Sequence, residues 1–208
     1  MAPEGTVTRP VAGYEGRFDL FGWPLVRAVV HLRRSLPRSS PRLIDLGSGR
    51  GRDLLYFAKH GFRVEGIDRD STELAKAQRR AHREGVRIAT RVADLRTLRI
   101  RDPVDVVFSS TALNHLPPDL RARRFADFQR ATRSGGVHAV NAFVRVRGSA
   151  PPPDVAPGLT YFRRGELRRY YRSWEVLHAE TRVLPCVVGP PAHVHAAESL
   201  VARRPRDA

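Results

Sequence analysis

Hydrophobic and polar positions along this chain follow two rhythms that take turns. Short, nearly pure apolar or alternating runs fall at 43–46, 62–67, 86–93, 104–108 and 137–144. They are the length of strands, and 104–108 (VDVVF, preceded by Pro103) has the apolar content of a strand buried on both faces. Between them, apolar residues recur every three or four positions. Leu25, Val29 and Leu32 mark a helix over about 24–35, Leu54, Phe57 and Ala58 one over 53–60, and Leu120, Phe125 and Phe128 one over 119–132. A further helix is expected over 71–84, with Ser71 as its N-cap and Gly85 at its end. The order is therefore β-α-β-α-β-loop-β-α-β after an opening helix. Strands alternating with helices imply a parallel sheet covered on both faces, joined by right-handed connections.

The last quarter changes character. Residues 145–160 lack a clear period and contain Pro151, Pro152 and Pro153, the signature of a long loop that can act as a lid. A short helix is expected at 165–172, a strand at 174–181, a Pro/Gly-punctuated loop at 186–194 and a short strand at 198–202. This last strand pair would close the far edge of the sheet. The expectation is one domain over 13–205 behind a mobile tail at 1–12.

Composition narrows the class. A chain of 208 residues with 41% hydrophobic and 28% charged residues is a globular balance. No apolar run approaches the roughly 18 residues of a membrane helix. Run 26–32 is already interrupted by Arg27 and His31, and the first twelve residues carry no apolar leader, so a cytoplasmic location is the expectation. Cys186 is the single cysteine, which excludes an internal disulfide or a cysteine-cluster metal site. No metal is expected.

The net charge of +16 is unusual, and only Lys59 and Lys76 among the 37 basic residues are lysine. The arginines are densest at 79–83, 121–124 and 168–172, all helical patterns, and read as surface residues. Nonspecific attraction to nucleic acid is expected at low salt, without a dedicated recognition module.

Candidate chemistry gathers at the carboxyl ends of the strands, where open α/β sheets bind ligands. Gly47, Gly49 and Gly51 form a G-x-G-x-G turn after the first strand. A dinucleotide fingerprint wants a glycine at 52, where Arg52 stands, with Asp53 next. A carboxylate there is a poor neighbour for a pyrophosphate, so the loop suits a ligand without phosphates. Asp68 ends the second strand, where an acid can accept hydrogen bonds from ribose hydroxyls. Asp94 follows the third strand, within reach of an adenine amino group. Ser109, Ser110 and Thr111 follow the fourth, and Asp45 lies beside the glycine loop. Together these features point to S-adenosylmethionine. The candidate cofactor set is Asp45, Gly47, Ser48, Gly49, Gly51, Arg52, Asp68, Arg69, Asp94, Leu95 and Ser109.

The segment DLGSGRGRDLLYFAKHGFRVEGIDRD resembles the opening motifs of class I S-adenosylmethionine-dependent methyltransferases. More narrowly, it is similar to the tellurite-resistance (TehB-like) group, whose usual pattern is DLGCGxGRNSLxLA. Ser48 stands for that cysteine, Asp53 for that asparagine, and Arg52 matches. VADLRTL (92–98), GELRRYYRSWEV (165–176) and ESLVARRP near the end extend the likeness over about 14–205. The resemblance implies a Rossmann-like seven-stranded mixed α/β sheet with helices on both faces and the last strand antiparallel. It implies a methyl donor held by Gly47, Gly49, Asp68 and Asp94, and soft nucleophiles such as tellurite, selenite or a thiol as acceptors. The tellurite enzyme has a His-Arg pair before its final strand; here that stretch reads Pro190-Pro191-Ala192-His193-Val194-His195.

Methyl transfer from a sulfonium needs positioning more than activation. A neutral acceptor needs a base as well, and His115, His193 and His195 are the candidates by position. Tyr14, Arg17, Phe21 and Trp23 could form an entry lid or a clamp on the sheet. Arg145, Arg147, Arg163 and Arg164 flank the long loop. Two other functions fit: a nucleic-acid methyltransferase, against which the absence of an Asn/Asp-Pro-Pro-aromatic motif after the fourth strand counts, and a non-catalytic regulatory protein that binds S-adenosylmethionine. The partner is a small acceptor, and the chain is a monomer or homodimer.

Overall fold

The computed structural model describes residues 19–145, 158–186 and 193–206. The elements run α1 (Asp19–Leu32), β1 (Arg42–Leu46), α2 (Arg52–Lys59), β2 (Arg63–Asp68), α3 (Ser71–Arg83), β3 (Ala89–Val92), β4 (Val104–Ser110), α4 (Pro118–Arg130), β5 (Thr132–Phe143), α5 (Glu166–Tyr170), β6 (Glu175–Cys186) and β7 (His193–Arg203). They form one seven-stranded sheet in the order β3-β2-β1-β4-β5-β7-β6. The first five strands are mutually parallel, and β7 runs antiparallel to both β5 and β6. The expected mixed sheet with an antiparallel last strand is the one found.

Strand periodicity sorts the core onto two faces. In β1, Leu43 packs with Leu25, Val29 and Phe57 of α1 and α2, while Ile44 and Leu46 pack with Phe125 and Phe128 of α4 and Tyr171 after α5. α3 joins the α2 side, where the glycine loop meets Ala77. Chain order reverses between β1 and β4, so their loops part there and leave a crevice at the carboxyl edge.

Several boundaries differ from the sequence reading for identifiable reasons. α3 is capped by Asp70 rather than Ser71, because the Asp70 carboxylate accepts from Thr72 N and Glu73 N. β3 covers only 89–92, the stretch that pairs with β2. α5 is five residues, capped at Gly165 with φ +77°. β6 and β7 are 12 and 11 residues, much longer than expected, because each completes the other's ladder from Glu175 opposite Arg203 to Cys186 opposite His193. Pairing across distant strands extends them where local composition predicts loop.

Run 121–124 needs a second correction. Arg121 and Arg124 are buried, not surface residues: on α4 they share the inward face with Phe125 and Phe128. Arg121 is 1% exposed. Its guanidinium meets Glu166 at 3.1 Å, donates to Thr160 O at 2.8 Å, and stacks 3.7 Å over the Phe162 ring. That pairing is what makes its burial tolerable.

Among the described residues no helix is long and apolar enough to cross a membrane, and no group of three or more His, Cys, Asp or Glu could hold a metal ion.

Candidate cofactor and acceptor cleft

The glycine turn earns its residues from backbone geometry. Gly47, Gly49 and Gly51 all have positive φ, at +77°, +49° and +74°. A Cβ on Gly47 would stand 2.1 Å from Ala112 Cβ, and one on Gly51 would strike Ala77 and Leu55. Gly49 alone opens on empty space, with nothing within 4 Å of a built Cβ. Two glycines therefore seal the loop against the fold, and the third presents bare backbone outward.

Asp68 ties this loop to β2. Its Oδ2 accepts from Gly49 N at 2.9 Å and its Oδ1 from Asp70 N at 3.0 Å. Gly47 N and Ser48 N both donate to Ile67 O, at 2.7 and 3.1 Å. The carboxylate is thus fixed in place, with lone pairs left over to accept from a ligand.

A cleft of about 680 Å³ opens between these strand ends. Gly47, Asp68 and Arg69 form one side, Asp94, Leu95 and Arg96 the second, and Ser110, Thr111 and His115 the third, with Phe143 and Leu159 closing it. Asp94 is held by Arg96, whose Nε and Nη2 reach Oδ2 at 2.8 and 2.5 Å while its backbone N reaches Oδ1 at 2.8 Å. The Arg96 side-chain hydrogen bond keeps the Asp94 carboxyl below the ordinary range. His115 stands at the mouth. Partial burial and the nearby Arg69 lower its pKa, with Asp68 opposing in part, which favours the neutral imidazole.

The fourth-strand side is shaped by a strained turn. Thr111 is the one described non-glycine residue with positive φ, at +61°. Its N–H is within 2.7 Å of Asn141 Oδ1, which holds it there. Asn114, fully buried, then bridges to β5 through Phe143 N and Phe143 O at 2.8 and 3.0 Å, and to Thr160.

Other candidate residues sit elsewhere. Asp45 is buried behind the loop, on the α1/α2 face of β1. Burial pushes its carboxyl well above the ordinary value; Asp53 adds to this and Arg52 opposes it. Arg52 and Asp53 form a two-pronged ion pair at 3.0 and 3.2 Å. Ser48 turns away from the cleft, its Oγ against Gly66 of β2. Ser109 is fully buried and donates to Leu46 O at 3.0 Å, joining β4 to β1; its neighbour Ser110 lines the cleft. Alternation along β4 is the signal that separates the two.

His193 and His195 lie on β7, with their Nε2 atoms 3.1 Å apart, so one ring donates and the other accepts. His195 packs at 5.6 Å against Phe143, behind that cleft wall. Trp23 packs edge-on against Tyr56 at 5.2 Å, as a clamp on the α2 side. Tyr14, Arg17, Arg147 and the 190–192 segment lie outside the described residues, as does the side chain of Phe21. Arg96, Asn114, Asn141 and Thr160 went unrecognised in the sequence. For Arg96 a signal existed, since a residue two positions after an aspartate is placed to close a turn on it.

Comparison with known proteins gives a consistent picture. A family model described as tellurite resistance protein TehB matches residues 35–184. Hemagglutinin 1 of Eikenella corrodens is 28% identical over 153 residues, 73% of this chain and 50% of that protein. A probable S-adenosyl-L-methionine-dependent methyltransferase TehB of Haemophilus influenzae is 26% identical over 136 residues, 65% of this chain and 46% of that protein. The crystal structure of TehB from Haemophilus influenzae superposes with a TM-score of 0.74 at 22% identity, over 88% of this chain and 62% of that one. The chain spans about half the length of the curated relatives it matches.

Proposed function

The chain belongs to the tellurite resistance protein TehB family, and on that premise we propose that it is a methyltransferase that uses S-adenosylmethionine and acts on a small-molecule acceptor. The observation that carries this reading is Asp68. Its carboxylate ends β2, the strand next to β1 at the carboxyl edge of the sheet, holds Gly49 N, and lines the cleft. An acid fixed there suits a ribose diol.

The donor fits what surrounds it. Gly49 leaves the loop backbone open, and Leu95 with Ala93 offers an apolar edge beside Asp94 for a flat ring. When bound, S-adenosylmethionine supplies an electrophilic methyl group on a sulfonium whose leaving group is a neutral thioether. The residues of the chain then have to bind, orient and exclude water. Asp68 and the Gly47–Gly49 backbone orient the donor end, while Phe143 and Leu159 narrow the acceptor end. His115 lines the cleft and its pKa is lowered, which supports a role for it as the base for an acceptor that must lose a proton. A cleft of about 680 Å³ favours a compact acceptor beside the donor. Tellurite, selenite and small thiols are the acceptors to test, since an anionic or sulfur nucleophile needs no strong base.

Calorimetric titration with S-adenosylmethionine and its demethylated product tests the reading. Both should bind in the micromolar range, and D68A should weaken both at least tenfold. A folded protein that binds neither refutes the cofactor assignment. Unchanged affinity in D68A refutes the role given to Asp68. Mass-spectrometric detection of methylated product across the acceptor set then separates catalysis from binding alone.

A further inference from the structure

A second concave surface lies on the opposite edge of the sheet. The basin, about 450 Å³, sits between residues 98–103 before β4 and the second half of α4. β4 separates it from the cofactor cleft by seven residues of extended chain, roughly 20 Å at the usual strand rise. Five arginines line it: Arg99, Arg101, Arg123, Arg124 and Arg130. Among the described residues the single carboxylate in its walls is Asp127, already engaged by Arg124 and Arg130.

In a neighbouring basin, two of the three lining arginines meet carboxylates. There, Arg42 meets Glu65 at 2.9 Å and Asp102 at 3.3 Å, and Arg133 meets Asp105 at 3.5 Å. In the α4 basin Arg99, Arg101 and Arg123 are exposed and make no ion pair with a described residue. Arg124 is 6% exposed, anchored by Nη1 to Leu98 O at 2.9 Å. Burial lowers its pKa first, and then repulsion from Arg123, Arg130 and Arg99. These guanidiniums repel one another across one concavity, at a cost that a bound anion would reverse. Guanidinium planes also match phosphate oxygens in two-pronged geometry.

We propose that the basin between residues 98–103 and α4 is a second binding site, for a compact ligand carrying two or more linked phosphates. Arg99, Arg101 and Arg123 supply the contacts, and Arg124 holds the floor through Leu98 and Asp127. This proposal is independent of the methyl-transfer reading, because no residue of the cofactor cleft takes part.

The probe is inorganic triphosphate, titrated calorimetrically at 150 mM NaCl, where diffuse attraction is largely screened. The wild-type chain should bind with one-to-one stoichiometry, and R99Q/R101Q/R123Q should bind at least tenfold more weakly. R79Q/R83Q/R87Q removes the same charge from exposed arginines elsewhere and should stay within twofold of wild type. Thermal melts check that both variants fold. If the first variant melts early, R101Q alone should still weaken binding at least threefold. ATP distinguishes the sources of the phosphates: equal affinity means that a bare polyphosphate suffices, and tighter binding means that a nucleotide is preferred. In both cases the loss in R99Q/R101Q/R123Q is required. No saturable binding, or equal losses in the two triple variants, would overturn the proposal and leave only generic attraction.

Discussion

Asn114 and Thr160 grip each other from segments 46 residues apart. Thr160 N donates to Asn114 O at 2.8 Å, and Asn114 Nδ2 donates to Thr160 O at 2.9 Å. The same Asn114 side chain accepts from Phe143 N and donates to Phe143 O. One buried amide therefore joins the turn after β4, the end of β5 and the segment that closes the cleft. Truncating it removes the side-chain acceptor of Phe143 N, a buried loss worth about 1–3 kcal/mol, and one donor each from Phe143 O and Thr160 O, which keep Phe162 N and Arg121. N114A should lower stability by about 2–4 kcal/mol in urea denaturation. N114D, which puts an acceptor against two carbonyls, should be no better. Loss below about 1 kcal/mol would mean that water replaces the amide.

Two glycines of the same loop should answer differently to alanine. G47A places a methyl 2.1 Å from Ala112 Cβ at φ +77°, so the loop must move. G49A meets nothing within 4 Å and bears only the cost of positive φ, about 1 kcal/mol. G47A should therefore destabilise the free protein the more, by about 2 kcal/mol or above. G49A should act chiefly on ligand affinity, because its methyl projects from the loop face left open. Denaturation and calorimetry on the two variants separate these effects.

Ser48 carries a buried hydroxyl that makes no hydrogen bond to a described residue. Removing a stranded polar atom is expected to help folding, by about 1 kcal/mol. S48A should raise the melting temperature and leave the affinity for S-adenosylmethionine within twofold. A fall in affinity would show that the hydroxyl contacts the ligand. The related TehB-like pattern has cysteine here, a less demanding group in a spot without partners.

Asp45 gives a pH signature. Burial raises its carboxyl well above the ordinary 3.8, so the folded chain binds this proton more tightly than the unfolded chain does. Its contribution is most favourable below the ordinary value and is lost as pH climbs through the raised one. D45N has no such proton. The stability of D45N minus that of wild type should therefore grow from about pH 4 upward and level off once Asp45 ionises in the fold. A difference independent of pH would refute the raised carboxyl.

The readable parts of the site were those built by short-range pattern. Asp68 follows an apolar run directly, and the glycine spacing reports a turn that needs positive φ. Ser109 and Ser110 show where adjacency fails: both follow an apolar run, yet one donates inside the sheet and the other faces the cleft. Arg121 shows a second failure. Its type suggests solvent, while its spacing to Phe125 and Phe128 puts it inside, where Glu166 waits 45 residues away.

The sequence by itself determined the order of strands and helices, the turn that carries Gly47, Gly49 and Gly51, and the placing of Asp68 and Asp94 at strand ends. Each depends on periods of two or about four residues, or on the conformational freedom of a single residue, and such signals lie within a few positions of one another. Only the tertiary structure decided that β6 and β7 extend to 12 and 11 residues, that Asn114 clamps Thr160, and that five arginines share one basin. Those facts come from segments brought together by burial of the two faces of the sheet. Local sequence carries no record of which distant group will sit within hydrogen-bond or Coulomb range.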